Sequence, residues 1–81
     1  MTARFTMYST PWCGYCHRLS AQLGREGISF DVVDIEQEPS AVSIVEKVNN
    51  GNRTVPTLVF DDGTALTNPS VAQVKAQLAR A

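Results

Sequence analysis

A cationic excess is missing from this sequence. Seven Lys and Arg stand against eight Asp and Glu, a formal net charge of −1. Such a chain has no basic surplus to hold a phosphate backbone, so no nucleic-acid partner is expected. Long apolar runs are missing too. None approaches the ~18–20 residues that span a bilayer, so no membrane association is expected. The first residues, Met1-Thr2-Ala3-Arg4, lack a charged segment followed by an apolar core and do not read as a secretory signal. The cytoplasm is the expected location. Cysteine is scarce: two residues cannot staple a disulfide-dense secreted mini-protein. Five Gly and four Pro exclude collagen-like and low-complexity chains. What remains is an ordinary globular composition, 43% hydrophobic and 19% charged over 81 residues. That length predicts one domain over residues 1–81, since a domain takes ~100–200 residues. A monomer is the default expectation.

The hydrophobic pattern divides the chain into seven elements. Phe5-Thr6-Met7-Tyr8 reads as a strand, ended by Thr-Pro. Cys16, Leu19 and Leu23 then fall on one face of a helix, which Gly24 and Gly27 close. Ser29 to Ile35 is a second strand. The resulting strand–helix–strand unit predicts that the two strands are parallel neighbours. A second helix opens at Pro39, with Ala41, Val45 and Val48 as its buried stripe and Val42 beside them. Asn49-Asn50-Gly51-Asn52 stops it. Strands over Thr57–Phe60 and Thr64–Leu66 flank Asp62-Gly63, a two-residue hairpin signal. The last helix begins around Asn68-Pro69-Ser70, with Asn68 as cap and Pro69 at the first helical position. Its apolar face is Val71, Val74 and Leu78. The order is β-α-β-α-β-β-α, an α/β fold with a four-stranded mixed sheet flanked by helices.

Cys13-Gly14-Tyr15-Cys16 lies where the first strand hands over to the first helix. Only a thiolate attacks a disulfide, and a free Cys has a pKa of ~8.5. Unpaired N–H groups and the positive end of the helix dipole favour the thiolate at this position. Cys13 is therefore the expected nucleophile, with its pKa lowered. Cys16, one turn later, comes within bonding reach and takes the resolving role. Gly14 clears the approach to Cys13, and Tyr15 offers a flat wall. Three plainer readings compete. A structural disulfide closing so short a loop gains only ~2 kcal/mol and would be reduced in cytosol. A zinc site needs four ligands, and Cys13, Cys16 and His17 are too few, so no metal is expected. Two inert buried thiols are the third. A redox pair fits the strand-to-helix context better than any of them.

Nearly the whole chain resembles the thioredoxin superfamily in its short glutaredoxin branch. The resemblance rests on Cys13-Gly14-Tyr15-Cys16, on Thr54-Val55-Pro56 before the third strand, and on the element order. It implies that Pro56 is cis and faces the active cysteine. It also implies that the Val55 backbone pairs with a peptide-like group of a bound thiol. Glutathione-using members usually carry Lys three residues before the first cysteine, where this chain has Thr10. They also carry a Gly-Gly stretch and acidic residues where this chain has Leu66-Thr67-Asn68-Pro69-Ser70. Half of a clamp for glutathione's two carboxylates is thus missing.

Trp12, the segment Gly51-Asn52-Arg53-Thr54-Val55-Pro56-Thr57, and Thr67-Asn68-Pro69-Ser70 make the chain similar to the actinobacterial mycoredoxins. That branch serves mycothiol, a cysteinyl glucosamine–inositol thiol without glutathione's carboxylates. The resemblance implies no bound cofactor, mycothiol as cosubstrate in preference to glutathione, and S-mycothiolated proteins as partners. Mycothiol disulfide reductase would act indirectly. The implied reaction is monothiol reduction of mycothiol–protein mixed disulfides. Two alternatives stay open. One is a dithiol redoxin, recharged by thioredoxin reductase, that donates electrons to ribonucleotide reductase or other protein disulfides. The other is an iron–sulfur carrier.

Trp12, Tyr15, Arg53, Thr54, Val55, Pro56, Thr67 and Asn68 are the candidate thiol-binding residues. Three of them have a plainer reading beside the binding one. Trp12 is a stacking wall or a cap on the core. Arg53 meets ligand or simply solvent. Asn68 is first a helix cap and only second a contact. His17, Arg18 and Arg25 read as a solvated helix face, and Phe5 and Tyr8 as core.

Overall fold

The computed structural model describes residues 4–80. Met1, Thr2 and Ala3, read above as no part of a signal, lie outside the described residues. The elements follow the expected order: β1 (Phe5–Ser9), α1 (Gly14–Arg25), β2 (Asp31–Asp34), α2 (Pro39–Val48), β3 (Thr57–Phe60), β4 (Ala65–Thr67) and α3 (Val71–Arg80). The sheet order is β2-β1-β3-β4. β1 pairs parallel with β2 and antiparallel with β3, and β3 pairs antiparallel with β4. The fold is α/β and thioredoxin-like, with a four-stranded mixed sheet and three helices. Among the described residues no helix is long and apolar enough to cross a membrane.

Period-two alternation along β1 builds two cores. Phe5 and Met7 join Leu19 and Leu23 of α1, Leu58 and Phe60 of β3, and Val74 of α3. Tyr8 points the other way and packs with Val33, Ile35, Ala41 and Val45 around α2. Helices therefore cover both faces of the sheet. Phe5 sits between two rings: Phe30 stacks on it at 5.3 Å and Phe60 tilts against it at 5.0 Å.

Gly27 closes α1 as expected. It adopts φ +72°, its N–H donates to the Gly24 carbonyl, and the Ile28 N–H donates to Leu23. These two bonds satisfy carbonyls that the helix end would leave free.

Four expectations are corrected. β2 spans only Asp31–Asp34, not Ser29–Ile35, because its one partner offers only Thr6–Ser9 for pairing. Phe30 is spent on packing beneath Phe5 before the strand begins. Val48 is exposed rather than part of the α2 stripe. Four residues on from Val45, Asn49 takes the inward position, and its side chain bonds to Thr57. The hairpin loop holds three residues, Asp61-Asp62-Gly63, not two. The Gly63 N–H donates to Phe60 O and the Phe60 N–H to Thr64 O, with Gly63 at φ +90°. That is a tight turn followed by a bulge glycine, and it moves β4 to Ala65–Thr67. Finally, Asn68 does not cap α3. Its own N–H donates to Pro56 O at φ +47°, while Ser70 is the cap. Ser70 Oγ accepts from the Gln73 N–H (3.2 Å), and Gln73 Oε1 accepts from the Ser70 N–H (2.8 Å). This reciprocal capping box displaces Pro69 to the position before the cap, where it is buried.

Two predictions arise here. Ser70→Ala should cost ~1 kcal/mol, the usual loss of an N-cap oxygen. The melting temperature should fall by about 4–8 °C, and an unchanged value would show that the cap contributes nothing. In the hairpin, the Thr64 hydroxyl and N–H both donate to Asp62 Oδ1, at 2.6 and 3.0 Å. These bonds favour the ionised carboxylate and hold Asp62 below the ordinary Asp value. Its stabilisation is thus present above the unfolded-state pKa and is lost as pH falls through the lowered folded value. A carboxyl NMR titration should place the Asp62 midpoint below that of a free Asp. Thr64→Ala should return it toward normal.

Candidate active site

Cys13 is the N-cap of α1, with extended backbone (φ −83°, ψ 104°). Its Sγ accepts the Cys16 N–H at 3.1 Å. The helix thus spends one of its free N–H groups on this sulfur. Cys13 and Cys16 form a disulfide, with Cα atoms 5.2 Å apart. Both are buried, Cys16 at 2% exposure and Cys13 at 5%. Gly14 is exposed, and a side chain there would meet open space.

The loop before Cys13 is held from two sides. The Cys13 N–H donates to Thr10 O at 3.3 Å. His17 places Nε2 2.8 Å from Pro11 O. A carbonyl only accepts, so the bond requires the proton on Nε2. His17 therefore ties this loop down from an exposed position, as its solvated reading anticipated.

Trp12 is 71% exposed and does not cap the core. Its Nε1–H donates to Glu36 Oε2 at 2.8 Å. The indole forms one wall of a cleft of about 560 Å³, shared with Thr10, Ile35, Glu36, Val42 and Arg53. Arg53 donates through Nε to Glu46 Oε2 at 3.2 Å, so its charge is met within the protein. Tyr15 is also exposed, and the Arg18 guanidinium lies 5.8 Å from its ring centroid. Tyr15 does not line the Trp12 cleft. Arg25 stays on the solvent face.

The Val55–Pro56 bond is cis, and Pro56 is fully buried. Thr57 and Asn49, neither of them a candidate site residue, help to tie the segment down. Thr57 Oγ1 donates to Thr54 O at 2.7 Å. Asn49 Nδ2 donates to Thr57 Oγ1 (3.0 Å) and to Val45 O (2.8 Å), while Asn49 Oδ1 accepts from Thr67 Oγ1 (2.7 Å). One amide thus links the end of α2, the start of β3 and the end of β4. Asn68 clamps the same segment through its backbone bond to Pro56 O, 2.8 Å long. Thr54, Thr67 and Asn68 converge on the cis-proline segment, whereas Trp12 and Arg53 converge on the cleft. Glu36 and Asn49 were missed. Glu36 carried only the weak signal of an acidic residue in a turn, and Asn49 read as a helix stop.

The profile of the glutaredoxin family matches residues 5–64. The protein named "Putative glutaredoxin Rv3198A" of Mycobacterium tuberculosis is 52% identical over 80 residues, covering 99% of this chain and 95% of that one. Mycoredoxin 1 of Corynebacterium glutamicum is 44% identical over 73 residues, with 90% of each chain covered. Among solved structures, a glutaredoxin from Archaeoglobus fulgidus superposes with a TM-score of 0.76 at 26% identity, over 99% of this chain and 89% of that one. A glutaredoxin from Methanosarcina mazei reaches 0.79 at 23% identity, over 94% and 78%, a likeness of fold. With its paired cysteines at a helix start and this kinship, the chain belongs to the glutaredoxin family of thiol–disulfide oxidoreductases.

Proposed function

We propose that the protein reduces mixed disulfides between mycothiol and protein cysteines, with Cys13 as the nucleophile of a monothiol cycle. The observation that carries this reading is the Cys13 sulfur at the N-cap, receiving the Cys16 N–H at 3.1 Å. In the reduced protein the same N–H and the α1 dipole favour the thiolate. The choice of mycothiol is supported by the 44% identity to a protein named Mycoredoxin 1. The neutral Thr10 is a further support.

In the first step the Cys13 thiolate attacks the mycothiol sulfur. The mixed disulfide breaks, and the protein cysteine leaves as a thiolate that takes up a proton. In the second, a mycothiol thiolate attacks the mycothiol sulfur held on Cys13. Oxidised mycothiol forms, Cys13 returns as thiolate, and mycothiol disulfide reductase restores the cosubstrate. Leaving thiols of low pKa depart faster, which partly sets target choice. Cys16 is dispensable in this route and diverts Cys13 into an internal disulfide.

That internal disulfide favours a second reading, a dithiol redoxin recharged by thioredoxin reductase. A coupled assay with mycothiol, its disulfide reductase and a mycothiol mixed disulfide separates the two. Cys16→Ser should keep or exceed the wild-type rate. A dead variant, with wild type accepting electrons from thioredoxin reductase, would establish the dithiol reading instead.

A further inference from the structure

β2 is an edge strand, with β1 as its neighbour on one side. The Ile35 N–H donates to Ser9 O at 3.0 Å. In a parallel ladder every second residue turns its backbone groups the same way, so Val33 and Asp31 also face β1. The N–H and C=O of Val32 and the N–H of Asp34 then face the open edge. A groove of about 510 Å³ lies beside that edge, between β2 and α2. Val33 and Ala41 line it, together with Val32 and Ile44, which are 54% and 40% exposed. Val48, one turn after Ile44, carries the exposed apolar stripe further along α2. The charge around the groove has one sign. Asp34 and Glu38 line it, and among the described residues no Lys or Arg does. Residues 27–45 carry Asp31, Asp34, Glu36 and Glu38 without a single Lys or Arg, in a chain whose net charge is only −1.

These features select an occupant. Open backbone groups on an edge pair with an extended segment, and apolar walls take its alternate side chains. Carboxylates around the groove attract Lys or Arg. A second copy of this chain brings the same carboxylates to the same edge, where like charges repel. The groove also ends where the redox pair begins. Ser9 and Asp34 are register partners at the close of β1 and β2, and Cys13 follows Ser9 by four residues. We propose that the groove along β2 is a docking site for protein substrates, one that takes an extended segment alternating Lys or Arg with apolar residues. This rests on the reading above that protein mixed disulfides are the substrate, and it adds which proteins are preferred.

The direct probe is a cysteine-free peptide of three Lys-Val repeats, blocked at both ends. Titrated into isotopically labelled protein, it should shift the amide NMR signals of Val32, Asp34, Glu38 and Ile44 saturably. The matching Glu-Val peptide should leave them in place. Turnover is then compared on mycothiol mixed disulfides of one peptide that carries a Lys-Val tail, a Glu-Val tail or no tail, each tail joined through a Gly-Ser linker. Wild type should show a KM about threefold lower for the Lys-Val tail than for the Glu-Val tail, with kcat alike, the scale of exposed charge pairs. Added salt should shrink that difference. Glu38→Lys should abolish it. Glu38 precedes α2 without a side-chain capping bond, so the substitution breaks no cap. Ile44→Ser should raise KM for the Lys-Val tail about twofold. Both variants should turn over the untailed mixed disulfide as wild type does.

Equal KM for the two tails, an undiminished preference in Glu38→Lys, or peptide shifts that gather elsewhere overturns the docking site. So does a dimer of this chain in which the β2 edge amides are protected without peptide, since a second copy then fills the groove. In each of these cases wild-type turnover of the untailed mixed disulfide keeps the functional reading intact. Absence of that turnover instead brings down the functional reading, and the docking role with it.

Discussion

Cys13→Ser is expected to lower turnover on any mixed disulfide by at least about 1,000-fold, the scale seen when a nucleophile is removed. The hydroxyl cannot take the place of a thiolate as attacking group or as leaving sulfur. The same substitution should leave the fold intact. Serine is a favoured N-cap, and its Oγ accepts the N–H that Cys16 now donates to sulfur. An unchanged circular dichroism spectrum beside abolished turnover is therefore the expected pair of results. Residual activity within about tenfold of wild type would move the nucleophile away from Cys13. A companion measurement uses Cys16→Ser, in which Cys13 is the only thiol. The rate of alkylation should rise with pH around a midpoint below the ~8.5 of a free cysteine. A midpoint at or above that value would remove the helix start from the explanation.

The second large effect is expected at Phe5. Its ring is 2% exposed, stacked on Phe30 and tilted against Phe60. It stands on β1, which has a partner strand on each side. Phe5→Ala removes the ring from the middle of the larger core and should cost ~3–5 kcal/mol. A small domain has only ~5–15 kcal/mol of stability in total, so much of the population should unfold on mild warming. Urea denaturation should show the loss as a lower midpoint with a similar slope. A loss under about 1 kcal/mol would mean that Phe30 and Phe60 close over the gap. Phe5→Leu keeps more of the volume and should fall in between.

Legibility followed sequence distance. The Cys13–Cys16 pair was readable because its chemistry is set within one helical turn: the N-cap geometry, the free N–H groups and the second sulfur all come from neighbours in the chain. Pro39 at the start of α2 and Gly27 after α1 were readable for the same reason. The cap of α3 was less legible, since Asn68 reads as the cap and Ser70 takes the role. Asn68-Pro69 and Ser70-x-x-Gln73 both suit a helix start. Asn68 lost the role because its N–H is held by Pro56 O, a bond that exists only once β3 and β4 are paired. The length of β2 was likewise decided by its partner strand and not by its own apolar residues.

The sequence by itself determined the element order, the parallel start of the sheet, the redox pair and the family to which the chain belongs. Each rests on periodicity, turn chemistry or a short motif, which act over a few residues. Tertiary structure alone decided which distant side chains meet. Glu36 meets Trp12 across 24 positions, and Asn49 meets Thr67 across 18. Arg53 pairs with Glu46 on α2. These contacts depend on how α2 packs against the sheet. Side-chain charge and hydrogen bonding act through space, and no local pattern encodes which distant partner will be there.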